Sequence, residues 1–203
     1  MVDLALKGGI VLWVIFAFSV ISLSIILERI YTFRCAKMHL PQFIREIKEY
    51  LQQGRKKDLL GICERKKSPL SGICALAIQN FKLPEAEKEK IIYQFSASKV
   101  RQLGIRVKAL GIIGHILPLL GLLGTVIGMI KTFMVVEAAG SSVNPGMLAG
   151  GIWEALLTTA VALSVAIPTL VAYHYLEGRL EDFSSQMSDV VFHVERMLKE
   201  KSQ

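Results

Sequence analysis

Long uncharged apolar blocks flank a charged, helically patterned middle in this chain. Gly8–Leu27 is a run of twenty residues rich in Ile, Val, Leu and Phe, without a formal charge. At about 1.5 Å per residue, such a helix crosses a hydrocarbon core of roughly 30 Å. A second block, Ala109–Ile130, is uncharged apart from the titratable His115, and a third runs from about Gly150 to Leu176 with Glu154 as its one charged residue. Pro118 and Pro168 lie inside these blocks. Membrane helices tolerate proline where neighbouring groups satisfy the freed carbonyls. The first block reads as a retained span rather than a cleaved leader, because Asp3 offsets Lys7 and no small-x-small site precedes Glu28-Arg29.

The middle segment reads as helices. Gln42–Gln53 sets Phe43, Ile47, Tyr50 and Leu51 on one stripe. Gly54, Gly61, Ser68-Pro69 and Leu83-Pro84 punctuate the pattern. The acidic run Glu85–Glu89 after Pro84 marks a helix start. That helix continues through Ile91, Phe95 and Leu103 into the second span. Beyond the third span, Leu176, Leu180, Phe183, Met187, Val190 or Val191, Val194 and Met197 recur at three- and four-residue steps. The expected fold is an all-α integral membrane protein with three transmembrane helices, two of which extend into a helical cytoplasmic region. The stripe needs partners inside the subunit or between subunits, and one chain is not expected to cover it fully.

Charge placement orients the spans. Residues 29–108 carry 18 basic and 7 acidic side chains, while the link around Phe133–Ala149 has no basic residue. Because Lys and Arg flanking a span stay cytoplasmic, the N-terminus and that link are expected outside. The basic segment and the tail, with Arg179, Arg196, Lys199 and Lys201, are expected inside. The chain then divides into an outward N-terminus with the first span (1–28), a helical cytoplasmic region (29–108), the second span (109–133), a periplasmic loop (134–149), the third span (150–176) and a cytoplasmic helical tail (177–203). An overall net charge of +7 in 203 residues therefore reflects topology rather than nucleic-acid binding. The clusters Arg55-Lys56-Lys57 and Arg65-Lys66-Lys67 read as solvated or lipid-facing, without aromatic interleaving. With 52% hydrophobic and 20% charged residues, neither a soluble enzyme nor a disordered chain fits. Cys35, Cys63 and Cys74 lack CxxC spacing and read as reduced thiols rather than a disulfide framework or metal ligands.

Within the second span Gly114, Gly121, Thr125, Gly128 and Thr132 share one face, and Gly124 with Gly128 forms GxxxG. Small faces let membrane helices approach closely, so the glycines read first as packing residues. The Thr125 hydroxyl either bonds back to its own helix or lines a pore. No GxxxxGK[ST] phosphate loop occurs around Lys131. In the third span Glu154 and Thr158 share a face, with Thr159 one position round. A carboxylate inside a span is a functional candidate by default, although a helix start also favours a negative charge. His115, His174 and His193 stand apart in sequence, and no catalytic triad, carboxylate pair or metal-spaced His set is present.

Three strings then carry a resemblance: Pro118-Leu-Leu-Gly-Leu-Leu-Gly-Thr125-Val-Ile-Gly128, Gly150-Gly-Ile-Trp-Glu154-Ala-Leu-Leu-Thr-Thr159-Ala and Val165-Ala-Ile-Pro168. In this order, with three spans and a large cytoplasmic segment, they resemble the MotA/TolQ/ExbB proton channel family over about a third of the chain. The resemblance points to the ExbB/TolQ branch, although Ala162 stands where relatives commonly have glycine and His174 where many have asparagine. It implies a homopentameric ring in the bacterial inner membrane, with spans two and three around a pore that holds an ExbD- or TolR-like single-span partner. On that resemblance Thr125 and Thr159 match pore threonines and Glu154 a membrane glutamate, with Thr158 beside them. Gly114, Gly121, Gly124, Gly128, Pro118 and Pro168 serve helix packing. The essential protonatable aspartate belongs to the partner. Protons are the coupling ion, no other cofactor is implied, and a TonB- or TolA-like protein is energised. The alternatives are a passive scaffold for a partner's anchor helix and a motility-type stator subunit.

Overall fold

The computed structural model describes residues 9–36, 40–66, 68–140 and 145–200. The expected outward N-terminus up to Gly8 and part of the link between the second and third spans lie outside them. Six helices are described: α1 (Gly9–Ala36), α2 (Leu40–Gln52), α3 (Lys56–Lys66), α4 (Pro69–Gln79), α5 (Glu85–Ala139) and α6 (Pro145–Glu200). Three of them, α1, α5 and α6, are long and apolar enough to cross a membrane. At 55 and 56 residues, α5 and α6 far exceed the about 20 that a bilayer requires. Each continues through its proline, Pro118 or Pro168. Both helices also run into the stretch 134–149, which the sequence assigned to a loop, from either side.

The chain forms two compact units, Met1–Ile30 with Arg106–Leu176, and Tyr31–Ile105 with Glu177–Gln203. In the first, Ile15 of α1 is buried with Ile113 and Leu117 of α5 and with Ala162 and Ala166 of α6. Glu28 of α1 pairs with Arg106 of α5 and with its neighbour Arg29. Only 11% of the apolar window of α1 is buried, against 39% for α5, so α1 is the outer helix of this unit.

In the second unit, α2, α3 and α4 wrap the apolar stripe of α6. The α2 stripe forms as its spacing requires: Phe43, Ile47 and Leu51 are buried. Gly54, at φ 75°, ends α2 in a Schellman turn, with Arg55 N–H donating to the Tyr50 carbonyl and Gly54 N–H to that of Leu51. Ser68 caps α4 reciprocally with Ser71, and Pro69 occupies the first turn. These helices bury Phe183, Met187, Val190, Val194 and Leu198 of α6 in one core. The stripe is thus largely covered within the chain, with Leu180, Val191 and Met197 left half-buried. Leu198 is the buried residue of its last turn, with Met197 only packed against the edge, and Val190 rather than Val191 is central. Among the described residues, one cation lies inside this unit. Lys88, 2% exposed, bonds Glu85 at 3.0 Å and Glu195 of α6 at 3.1 Å. Burial disfavours its charge, but the two carboxylates outweigh that and hold its pKa above the ordinary lysine value. Cys63 and Cys74 are free and buried in the same core. The Cys74 thiol hydrogen-bonds that of Cys63 and holds the Cys63 pKa low; the same bond, with burial, pushes Cys74 up.

Candidate functional site

The small-residue face of α5 is spent on α6. Going along α5 and back along α6, Gly111 faces Tyr173, Gly114 faces Leu170, Gly121 faces Ala162, Gly124 faces Thr158, Gly128 faces Ala155 and Thr132 faces Gly151. A methyl group at Gly128 would stand 2.6 Å from the Ala155 Cβ, and one at Gly124 2.5 Å from Thr158 Oγ1. Carbon atoms in contact sit about 3.5–4.0 Å apart, so the glycines set the approach of the two antiparallel helices. The face that the sequence left in need of a partner finds it inside the subunit, and it is no independent sign of oligomerisation.

Polar groups punctuate this seam. The Thr159 hydroxyl crosses it and donates to the Gly121 carbonyl at 2.8 Å. Thr158 is buried and donates to Ala155 of its own helix at 2.8 Å, with the Gly121 carbonyl also 3.4 Å away. Thr125 donates to the Leu122 carbonyl at 2.7 Å, the local bond that its position allowed. A threonine oxygen that donates its one proton still offers lone pairs to an incoming donor. Each of these hydroxyls therefore remains an acceptor.

Glu154 sits on a different flank. It is five residues from Thr159, about 140° round the helix. With Thr158 it lines a cavity of about 430 Å³ that also takes in Lys131 and Thr132 at the end of α5 and Ile10 and Val11 of α1. Thr125 and Thr159 are not among its walls. The structure thus separates the sequence-derived set into Glu154 and Thr158, which line the cavity, and Thr125 and Thr159, which do not. Lys131, which the sequence reading weighs only against a phosphate loop, is a further wall of this cavity. Its signal was its level: in an antiparallel pair joined by a short link, the first charge beyond one span lies near the depth of the first charge inside the next.

His115 Nδ1 bonds the Gly111 carbonyl at 2.7 Å, which gives it a local partner. Among the described residues no group of three or more His, Cys, Asp or Glu side chains could hold a metal ion.

Comparison with known proteins adds an independent line. Residues 65–189 match the model of the MotA/TolQ/ExbB proton channel family, a region that encloses the whole α5/α6 seam. The chain is 31% identical to an ExbB homolog of Methanothermobacter thermautotrophicus over 181 residues, 87% of this chain and 62% of that relative, so it spans under two thirds of that protein's length. It is 31% identical to an ExbB-like protein of Synechocystis over 87% of this chain and 70% of the relative. To the Tol-Pal system protein TolQ of Haemophilus influenzae it is 38% identical over 82 residues, 40% of this chain and 36% of that one. With three apolar helices, a glycine-set seam and these matches, the chain belongs to the MotA/TolQ/ExbB proton channel family, on its ExbB/TolQ branch.

Proposed function

We propose that the chain is a proton-channel subunit of an ExbB/TolQ-like inner-membrane motor. Five copies form a ring, α5 and α6 face its pore, and an ExbD- or TolR-like single-span protein occupies the pore. The proton motive force, acting through that pair, energises a TonB- or TolA-like protein for outer-membrane transport or envelope maintenance. The N-terminus faces the periplasm and the C-terminus the cytoplasm, in keeping with the basic residues at 29–108. A channel of this kind has no need of catalytic machinery, and the family is one of transport rather than of enzymes.

The observation that carries the reading is the Thr159 hydroxyl, which bonds across a glycine-set seam that carries no charged side chain. A proton crossing lipid needs polar acceptors along surfaces that carry no fixed charge. The lone pairs of Thr125 and Thr159 supply such acceptors for a water or for a protonated carboxyl of the partner. Glu154 serves as a proton-attracting group at one end. One observation favours a second reading, a passive scaffold: Thr125 and Thr159 each donate to a main-chain carbonyl, which a purely structural threonine also does.

Restoration of function separates the two. The chain is expressed with an ExbD- or TolR-like partner in cells that lack the corresponding motor. A proton-channel subunit restores energised uptake or envelope integrity, and a protonophore abolishes the restoration. Restoration that survives the protonophore selects the scaffold.

A further inference from the structure

The cavity beside Glu154 has a chemistry of its own. Its volume of about 430 Å³ lies within the about 300–1,000 Å³ usual for small-molecule sites. Lys131 and Glu154 both line it, and among the described residues no ion pair joins them. Lys131 is exposed and Glu154 half-buried, so against lipid both charges are costly until each meets a counter-charge. A single ligand that answers both has an anion for Lys131, a cation with N–H donors for Glu154, and an apolar body for Ile10, Val11 and Val135.

Position narrows the ligand further. Lys131 is the first charged residue beyond the uncharged run Ala109–Ile130, which puts it at headgroup depth, where lysines reach into the interface. The cavity borders the first turn of α1, where Ile10 is 84% exposed. Since α1 is the outer helix of its unit, that wall belongs to the lipid side.

We propose that this cavity seats the headgroup of a zwitterionic phospholipid with a primary amine, of the phosphatidylethanolamine class. Its phosphate meets Lys131 and its ammonium meets Glu154, while its chains leave along α1. A choline headgroup offers Glu154 no N–H donor, and a glycerol headgroup offers it no cation. The proposal deepens the proton-channel reading and rests on it for placing α1 away from the pore. The lipid ammonium keeps Glu154 charged at the proton entrance, so the seat adds to its proton-attracting role and does not replace it.

The test is lipid retention by the full chain. The protein is purified from nanodiscs holding equal amounts of ethanolamine, choline and glycerol phospholipids with identical chains, and the retained lipids are identified by native mass spectrometry. The ethanolamine lipid should be enriched about fivefold over either competitor, the size of one charge-assisted contact. Lys131→Met, and Val135→Trp as a variant that fills the cavity, should bring retention down to the bulk composition, whereas Lys131→Arg should keep the enrichment. Bulk composition in the unmodified chain, or enrichment that survives Lys131→Met, overturns the proposal. Preferential retention of the glycerol lipid overturns it too, because that ligand ignores Glu154. Proton uptake by closed vesicles of the same lipids, holding the chain together with its ExbD- or TolR-like partner, separates the two readings. Enrichment without proton transport sinks the channel and spares the seat, and transport without enrichment does the reverse.

Discussion

The α5/α6 seam makes a quantitative demand on Gly128. In an exposed helix, Gly→Ala gains about 1 kcal/mol of helix propensity. Here the new methyl would stand 2.6 Å from the Ala155 Cβ and 3.0 Å from its Cα. Both atoms are rigid parts of the facing helix, so α5 and α6 must move apart. Overpacking of this kind costs about 1–3 kcal/mol, and with backbone in the way the upper half of that range applies. The net effect of Gly128→Ala is then a loss of about 1–2 kcal/mol, or roughly 3–6 °C in Tm for a chain of this size. Ala155→Gly removes the obstructing methyl. Alone it loses helix propensity and leaves a gap, so it also destabilises. Together the two changes exchange which helix carries the methyl, and the double variant should recover at least about 1 kcal/mol relative to the sum of the single ones, within the range seen for residues in contact. Thermal unfolding of the purified chain in one detergent, followed by circular dichroism, measures all four corners of the cycle. Additive losses, or a Gly128→Ala chain as stable as the parent, refute the glycine-set approach of α5 and α6.

Three further outcomes follow from other parts of the chain. The Lys88 cluster makes the second unit sensitive to both extremes of pH. The raised Lys88 pKa gives stability that is complete below the ordinary lysine value of 10.5 and fades above it; the lowered Glu85 pKa gives stability that is complete above the ordinary glutamate value of 4.5 and fades below it. Protease resistance of this unit should therefore fall below pH 4.5 and above pH 10.5, with the oppositely shifted Cys63 and Cys74 thiols adding their own change around pH 9.0, and Glu195→Gln should weaken the Lys88 contribution at the alkaline end. At the seam, Thr159→Val removes the bond to Gly121. It should cost about 1 kcal/mol while the partner still co-purifies, and Thr159→Ser should restore both stability and energised uptake. Last, Glu154→Gln should abolish energised uptake at every external pH with assembly intact; near-normal uptake would make Glu154 only a complement to the helix start.

Much of this architecture was open to a reading of periodicity and charge. The three spans, the α2 stripe and the helix start after Pro84 are local patterns in which side-chain spacing decides the outcome. What the sequence hid was which surfaces the chain covers for itself. The stripe from Phe183 to Leu198 and the glycine face of α5 both call for partners, and spacing does not say whether the partner is α2–α4, α6 or a second copy. The one-residue slip from Met197 to Leu198 has the same origin, since both fit a helical step and only the facing core decides between them. Motif order brought Thr125, Thr159 and Glu154 together in sequence. Rotation about α6 turns Glu154 away from Thr159, and only the packed helices place Lys131 on the same cavity as Glu154.

Proton flux itself tests the central claim most directly. The chain and an ExbD- or TolR-like partner are reconstituted in vesicles, a potassium gradient with valinomycin imposes a membrane potential, and an internal pH dye reports uptake. The account predicts acidification that requires both proteins and disappears with Thr159→Val or Glu154→Gln. Vesicles that acidify equally with those variants, or that never acidify although the complex is assembled, would contradict it.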